Sequence, residues 1–457
     1  MAEKYDAIVV GTGSGMVVVE EALAHGLKVA LVDKGPTGGT CLNNGCIPSK
    51  MLILAADRIM EAQESKKLGV TAEIKNIDFK FIMERMRKNI ASYRDRMAQG
   101  LKEVDGLAFY EGEARLTKDY TLEVNGKTIS ANKICIASGS RVSIPPIKGI
   151  NNVDYLTNET LLQLTEKPQS IIIIGGGYVA VEYSHFFAAM GTRVTILEMA
   201  DRLILSEEPV TSELLKKQLS RRMAVHTGSL VQEVKKQKGN CVVVAKDAGS
   251  GALNEYTAEK VLVAVGRQSN ADLLQVANTG VETDSRGYIK VDEYMETTRK
   301  NIYAVGDANG QQMFTHVANR EAGVAANNIL HDVREKMSYS AAPHAVYSHP
   351  QIASVGMTEE TAKKDHSILV GIAKYAEIAK GEAMMETDSF AKAIVDNETD
   401  KILGFHIIGP NAPELIQEVV DTIESGGTVS NIMSSMHIHP ALSELVQQAL
   451  ANLAEVK

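Results

Sequence analysis

The chain has 457 residues, 44% apolar and 23% charged, which is the composition of a globular protein of about three domains. Its 48 Lys and Arg stand against 57 Asp and Glu, a net charge of −9. That balance excludes general binding to nucleic-acid backbones. No apolar run approaches the roughly 20 residues of a membrane span, and the charged start Met1-Ala2-Glu3-Lys4-Tyr5-Asp6 lacks a secretory apolar region. A cytoplasmic protein is expected.

The first predicted strand, Ile8-Val9-Val10, runs into the glycine turn Gly11-Thr12-Gly13-Ser14-Gly15. A helix follows to near Gly26, and a second strand, Val29 to Asp33, closes on an acid. The same pattern returns at Ile172-Ile173-Ile174-Gly175-Gly176-Gly177, with a helix to near Gly191 and a strand closing on Glu198. The glycines repeat after 164 residues and the acids after 165, which places one extra residue in the second helix or its turn.

Each copy is a dinucleotide-binding fingerprint. Its glycines permit a tight turn and let a pyrophosphate approach the helix N-terminus, where free N–H groups and the helix dipole favour an anion. Asp33 and Glu198 stand where an acid accepts hydrogen bonds from ribose hydroxyls. Met16 occupies the third-glycine place of the first copy and should push its helix outward, whereas Ala180 in the second is a common variant. A carboxylate at Glu198 repels a 2′-phosphate and favours NAD over NADP, a preference that Arg202 could blur.

Between the two copies lies Gly38-Gly39-Thr40-Cys41-Leu42-Asn43-Asn44-Gly45-Cys46-Ile47-Pro48-Ser49-Lys50. The spacing lets Cys41 and Cys46 bridge on an irregular turn. A helix is predicted from Lys50 to about Ser65, with Pro48 near its first turn. Its N-terminus and Lys50 favour a thiolate at Cys46. The spacing alone leaves two other readings open: a zinc site of Cys41, Cys46, His437 and His439, and a pair of buried structural cysteines.

This segment resembles the redox-active stretch of the class I pyridine nucleotide–disulfide oxidoreductases, and within them most closely the dihydrolipoamide dehydrogenases. The resemblance covers essentially the whole chain. Ile134 to Ser140 is similar to the family's ATG stretch, with Ser138 for threonine before Gly139. Val263 to Arg267, including Gly266, resembles the return into the FAD domain, and Ile302 to Asp307 the second FAD motif. Phe314-Thr315-His316 stands where the family has Leu-Ala-His beside the flavin. Ser348 to Thr358 and Gly404 to Ile416 resemble its interface domain. His437-Ile438-His439-Pro440-Ala441-Leu442-Ser443-Glu444 resembles the catalytic HxHPTxSE, with Ala441 for threonine.

The resemblance implies an α/β fold of two Rossmann-like domains, for FAD and NAD, and a C-terminal α+β dimerisation domain. The segments are 1–145 for FAD and the redox disulfide, 146–266 for NAD, 267–338 completing the FAD site, and 339–457 for the interface. Pro145-Pro146 marks the exit into the NAD domain, and the interface domain should end in a helix after Pro440. FAD would be held by Gly11, Gly13, Gly15, Asp33, Gly39, Thr40, Lys50, Ser138, Gly139, Gly306, Asp307 and His316. NAD would be held by Gly175, Gly177, Tyr178, Glu182, Glu198 and Gly266, with Tyr178 as the gate over the nicotinamide. Cys46 would be the thiolate beside the flavin and Cys41 the outer thiol. Lys50 would stand near the flavin N5, paired with Glu182. His439 would be the acid–base group, oriented by Glu444 and reaching Cys41 across a homodimer interface. His437 is expected to be a partly exposed bystander.

The implied substrate is dihydrolipoamide, with a mycothione or coenzyme A disulfide as the second choice. A 2-oxoacid dehydrogenase complex is the candidate partner. The absence of thiols after Cys241 speaks against the large thioredoxin reductases and the mercuric reductases.

Overall fold

A computed structural model of the chain describes residues 2–331 and 333–455; the outermost segment limits expected above, 1 and 457, lie outside them. The chain divides into two compact units. The first comprises Met1–Ser49, Glu84–Ser143 and Gly266–Ser338; the second comprises Lys50–Met83, Ile144–Val265 and Tyr339–Lys457.

The first unit is built on a seven-stranded sheet. Glu3–Val10 lies between Val29–Asp33 and Lys127–Ile136, parallel to both. Leu107–Glu111 extends the parallel part on one side, and Ile302–Ala304 pairs with the end of Lys127–Ile136. An antiparallel hairpin, Ala114–Lys118 and Thr121–Val124, completes the sheet. Its central strands are apolar on both faces, as a sheet covered on both sides requires. Ile8, Val9, Ile134 and Ile136 are fully buried. The helices Gly15–Ala24 and Thr315–Leu330 share one core with this sheet through Val18, Val19, Ala22, Ala322 and Ala325.

The second unit repeats the motif. Ser170–Ile174 pairs in parallel with Arg193–Leu197 and Lys260–Val263, and Ala224–His226 adds to the edge. A three-stranded antiparallel sheet, Ser229–Gln237, Asn240–Asp247 and Leu253–Ala258, accompanies it. The C-terminal part of this unit is a six-stranded sheet that includes Pro343–Val346, Ile352–Gly356, Ile402–Ile408, Phe390–Asp396 and Ile368–Lys374. Helix Glu444–Ala451 packs Leu445, Val446, Ala449 and Leu450 onto it. The chain does not end on that helix: Ala454–Glu455 returns as a short strand beside Ile368–Lys374.

The two glycine turns are built alike. Gly11 has φ +110°, and a Cβ there would lie 2.2 Å from the Ala137 carbonyl oxygen. Gly175 has φ +112°, and its Cβ would lie 2.3 Å from the oxygen of Ala264. Only glycine tolerates both the backbone angle and the approach. The one-residue offset between copies resides in the helix. Helix Gly15–Ala24 has 10 residues and Tyr178–Ala189 has 12, but the second begins one residue sooner after its first glycine.

The close helix–strand contact of the first copy falls at Gly15, where a Cβ would stand 2.9 Å from Val9 Cγ1. Met16 packs partly buried against the core.

Candidate active site

In the first unit, the cysteines sit on two helical turns rather than on an irregular loop. Cys41 lies in helix Gly39–Asn44, and Cys46 opens helix Cys46–Glu64 after a break at Gly45. The second helix therefore begins four residues before the expected Lys50. Pro48 falls inside its first turn, where a missing N–H costs nothing. Cys46 thus occupies the helix N-terminus, the place where the dipole favours a thiolate.

Both cysteines are free thiols, Cys46 exposed and Cys41 less so. Hydrogen bonding to Cys46 is the largest influence on the Cys41 thiol, burial the next, and both raise its pKa. Cys41 is thereby held as the protonated donor, with Cys46 as acceptor. The Thr315 hydroxyl stands 3.4 Å from Cys46 Sγ. Asn43, buried between the cysteines, donates through Nδ2 to the carbonyls of Thr37 and Gly39 at 3.0 Å each.

Around the first glycine turn, the Asp33 carboxylate accepts from Thr12 N at 2.6 Å and Gly35 N at 2.8 Å, and the Thr12 hydroxyl also donates to it. Gly38 N donates to that hydroxyl at 2.8 Å. Gly13 and Gly39 face each other closely enough that a Cβ on Gly39 would meet Gly13 Cα at 2.9 Å. Ser138 Oγ is buried with no hydrogen-bond partner among the described residues. Gly139 follows it at φ +65°. Asp307 accepts from Ser140 Oγ at 2.5 Å and lies 3.4 Å from Arg267 Nε. Phe314 and His316 stack at 5.7 Å. Gly266, expected on the NAD side, belongs to the first unit, where its carbonyl accepts from Ser143 N at 3.0 Å. A cradle of bare glycine backbone with an orphaned buried hydroxyl suits an extended, phosphate-bearing cofactor.

In the second unit, Lys50 Nζ lies 2.7 and 2.9 Å from the two oxygens of Glu182. Glu182 is 7% exposed and also accepts from Tyr347 N at 3.1 Å. The Lys50 ammonium stands 4.5 Å from the centre of the Tyr347 ring. Gly177 leads directly into helix Tyr178–Ala189, and nothing among the described residues lies within 4 Å of where its Cβ would be. The Tyr178 hydroxyl meets Ser206 Oγ at 2.7 Å. Glu198 accepts from Ala200 N at 2.6 Å, and Arg202 Nη2 is turned to the Leu205 carbonyl at 3.3 Å.

Near the end of the chain, His439 Nδ1 is 2.8 Å from Glu444 Oε1, and Glu444 Oε2 accepts from Ala441 N at 3.0 Å. The backbone bond and then His439 hold the Glu444 carboxyl below its ordinary pKa. Nε2 of His439 faces outward on a side chain that is 70% exposed. His437 is partly exposed as a residue, with a side chain that is itself largely covered, 7% exposed, and bonds Glu418 Oε2 at 2.8 Å. Burial pushes that carboxyl up, against the pull of His437. The two histidines are each committed to a different carboxylate. No group of three or more metal-ligating side chains is arranged for a metal among the described residues. Nor, among them, is any helix long and apolar enough to cross a membrane.

Several supporting residues escaped the sequence. Glu321, fully buried on helix Thr315–Leu330, accepts from Gly306 N at 2.6 Å and fixes the turn carrying Asp307. Its only signal was an acid among apolar helix positions. Asn43, Tyr347 and the Glu207–His344 pair carried no signal that local spacing could supply.

Residues 5–322 match the family described as pyridine nucleotide-disulphide oxidoreductase, and residues 342–450 match its dimerisation domain. Mycothione reductase of Mycobacterium tuberculosis is 33% identical over 475 residues, covering 99% of this chain and all of that protein. Dihydrolipoyl dehydrogenase of Geobacillus stearothermophilus is 36% identical over 453 residues, 97% of this chain and 95% of that one. The Cu(II) complex of the HOCl-induced flavoprotein disulfide reductase RclA from Escherichia coli superposes with a TM-score of 0.87 at 28% identity, covering 98% and 99% of the two chains.

Proposed function

The chain belongs to the pyridine nucleotide–disulphide oxidoreductase family, and from that premise we propose that it passes electron pairs between NAD(H) and a small dithiol or disulfide through Cys41 and Cys46. The family's cofactors are FAD and NAD(P)H. We assign dihydrolipoamide as the substrate and a homodimer as the working form. The observation that carries the reading is the pair of mutually bonded thiols at a helix N-terminus, in a chain that also presents an outward imidazole on a carboxylate.

FAD would be held by Gly11, Gly13, Gly15, Asp33, Gly39, Thr40, Ser138, Gly139, Gly306, Asp307 and His316, with Lys50 as a further contact. When bound, the flavin exchanges electron pairs with the nicotinamide on one hand and with the cysteine pair on the other. Gly175, Gly177 and Glu198 would take NAD, with Tyr178, Glu182 and Gly266 completing the nucleotide site. The Glu198 carboxylate disfavours a 2′-phosphate, since the nearby Arg202 is partly engaged by Leu205.

In the dithiol-oxidising direction, His439 Nε2 takes a proton from one substrate thiol. The thiolate attacks Cys41 Sγ of the oxidised pair, and the bond to Cys46 breaks to leave a Cys46 thiolate. The second substrate thiol attacks the substrate sulfur of this mixed disulfide. Cys41 leaves and takes up its proton, so one proton rests on His439 and one on Cys41 while the substrate closes as a disulfide. Glu444 holds the imidazole tautomer and stabilises its cation. Thr315 and the helix N-terminus favour the Cys46 anion. Lys50, held by Glu182, supplies a fixed positive charge one turn beyond Cys46.

The exposed His439 stands beside Met436, whose side chain is wholly exposed, and Ile438, 79% exposed. Such a surface, within the stretch matching the dimerisation domain, suits burial against a second copy. A cytoplasmic location suits a thiol enzyme, and a 2-oxoacid dehydrogenase complex is the partner that dihydrolipoamide implies. A second reading, a mycothione- or coenzyme A-type disulfide, is favoured by the full-length match to mycothione reductase. A steady-state panel decides between them. Dihydrolipoamide with NAD should lead; faster turnover of another small disulfide, without dihydrolipoamide activity, selects the second reading.

A further inference from the structure

In the second unit, a group of buried ionisable residues lies outside the chemistry above, on the loop Ser206-Glu207-Glu208. Glu207 and Glu208 are 1% and 2% exposed. Glu208 meets Lys392 Nζ at 2.6 Å and accepts from Glu359 N. Glu207 meets His344 Nε2 at 2.7 Å with one oxygen and Ser354 Oγ at 2.6 Å with the other. The loop is therefore clamped onto the C-terminal sheet through Ser354 and Lys392.

The same loop holds Tyr178 in two ways. The Ser206 hydroxyl meets that of Tyr178 at 2.7 Å. Glu207 fixes His344, whose ring meets the Tyr178 ring edge to face at 6.0 Å and 85°. Burial would raise the Glu207 carboxyl, but the hydrogen bond and charge of His344 outweigh it and the acid stays ionised. His406, which also faces Glu207, is kept below its usual pKa by burial and gives little charge in return.

We propose that His344 is a positioning residue for nucleotide binding: anchored by Glu207, it latches Tyr178 beside the turn Gly175–Gly177, and the pyridine nucleotide binds by releasing that latch. The proposal rests on the reading that Tyr178 covers the nicotinamide site. When a ligand must displace a closed form, its apparent affinity falls with the fraction of protein that is open. Loosening the latch must therefore tighten binding.

The test is a double-mutant cycle on the FAD-loaded dimer. The dissociation constant of NAD⁺ is read by isothermal titration calorimetry, with thermal midpoints alongside. His344→Gln keeps a donor for Glu207 but removes the ring, and guards against the misfolding His344→Ala could cause. It should tighten NAD⁺ by roughly two- to tenfold, the range of one aromatic pair. In the Tyr178→Ala background it should change nothing. Equal shifts in both backgrounds, or no shift in the parent, overturn the latch while leaving the nucleotide site standing. An unchanged dissociation constant in Tyr178→Ala itself overturns the premise that Tyr178 covers that site, and the latch with it.

Discussion

Replacing His439 with Gln removes a titrating group and leaves the backbone around it undisturbed. In the structure the imidazole contributes little burial, being 70% exposed, and its one hydrogen bond among the described residues is the 2.8 Å bond to Glu444. Stability should therefore hardly change, and any loss of rate reports chemistry. A positioned acid–base group is worth roughly 10²–10⁴-fold. Glu444→Gln has a smaller ceiling. Gln can still bond one of the two groups that Glu444 serves, His439 Nδ1 and Ala441 N, and an exposed pair is worth at most about 1 kcal/mol, or roughly fivefold. The assay sets dihydrolipoamide oxidation by NAD⁺ beside electron transfer from NADH to an artificial acceptor, which needs no thiol exchange. His439→Gln should lower the first and spare the second. Equal loss in both, or loss in neither, refutes the acid–base assignment; so does a Glu444→Gln defect as deep as that of His439→Gln.

Iodoacetamide at neutral pH should alkylate the reduced, flavin-free protein at Cys46 before Cys41, because Cys46 is the more exposed and Cys41 is held protonated by its bond to Cys46 and by burial; peptide mass spectrometry that finds Cys41 modified first contradicts the order. Lys50→Met should destabilise the fold, since Glu182 is left as a buried carboxylate. Breaking a fully buried pair costs 3–5 kcal/mol, and the 35% exposure of Lys50 reduces this to roughly 1–3 kcal/mol, read from urea midpoints. Lys50→Met combined with Glu182→Leu should recover most of the loss. His349 holds the Glu64 carboxyl down to about 2, chiefly by a direct hydrogen bond. The bond's contribution is present above the unfolded-state pKa near 4.3 and is lost as pH falls from there to about 2. The stability gap between the parent and His349→Gln should therefore narrow as pH falls from about 5.5 to about 2.5; a constant gap rejects the link.

What the sequence made legible was what depends on neighbours along the chain. Both glycine turns could be read because Gly11 and Gly175 each need a backbone angle and a clearance that other residues lack. The His439–Glu444 pair spans five residues across one turn. Lys50 and Glu182 were paired only through the resemblance, because 132 residues separate them. Local signals also misled. Pro48 marked a helix boundary, yet the first turn tolerates proline and the helix opens at Cys46. His437 bonds an acid 19 positions away, and His344 meets Glu207 across 137. Such pairs exist only once the sheets are assembled, so no spacing rule could have shown them.

The two copies of the fingerprint use their acids differently, and the difference lies in two positions that change together. In the first copy, Thr12 follows the leading glycine, and its amide and hydroxyl both donate to Asp33. The short acid closes its own turn and braces it against Gly35. In the second copy, the residue after the leading glycine is Gly176, and the acid is one methylene longer. The Glu198 stem fills the space that a side chain at 176 would need: a Cβ there would stand 2.8 Å from Glu198 Cγ and 2.8 Å from Leu203 Cδ2. A threonine with a short acid and a glycine with a long one are thus two solutions to the same packing problem. Under the proposed assignment of this turn to NAD, the longer acid would accept from a ribose hydroxyl and repel a 2′-phosphate. Under that assignment, nucleotide choice would follow from how one turn is packed as well as from the charge at its end.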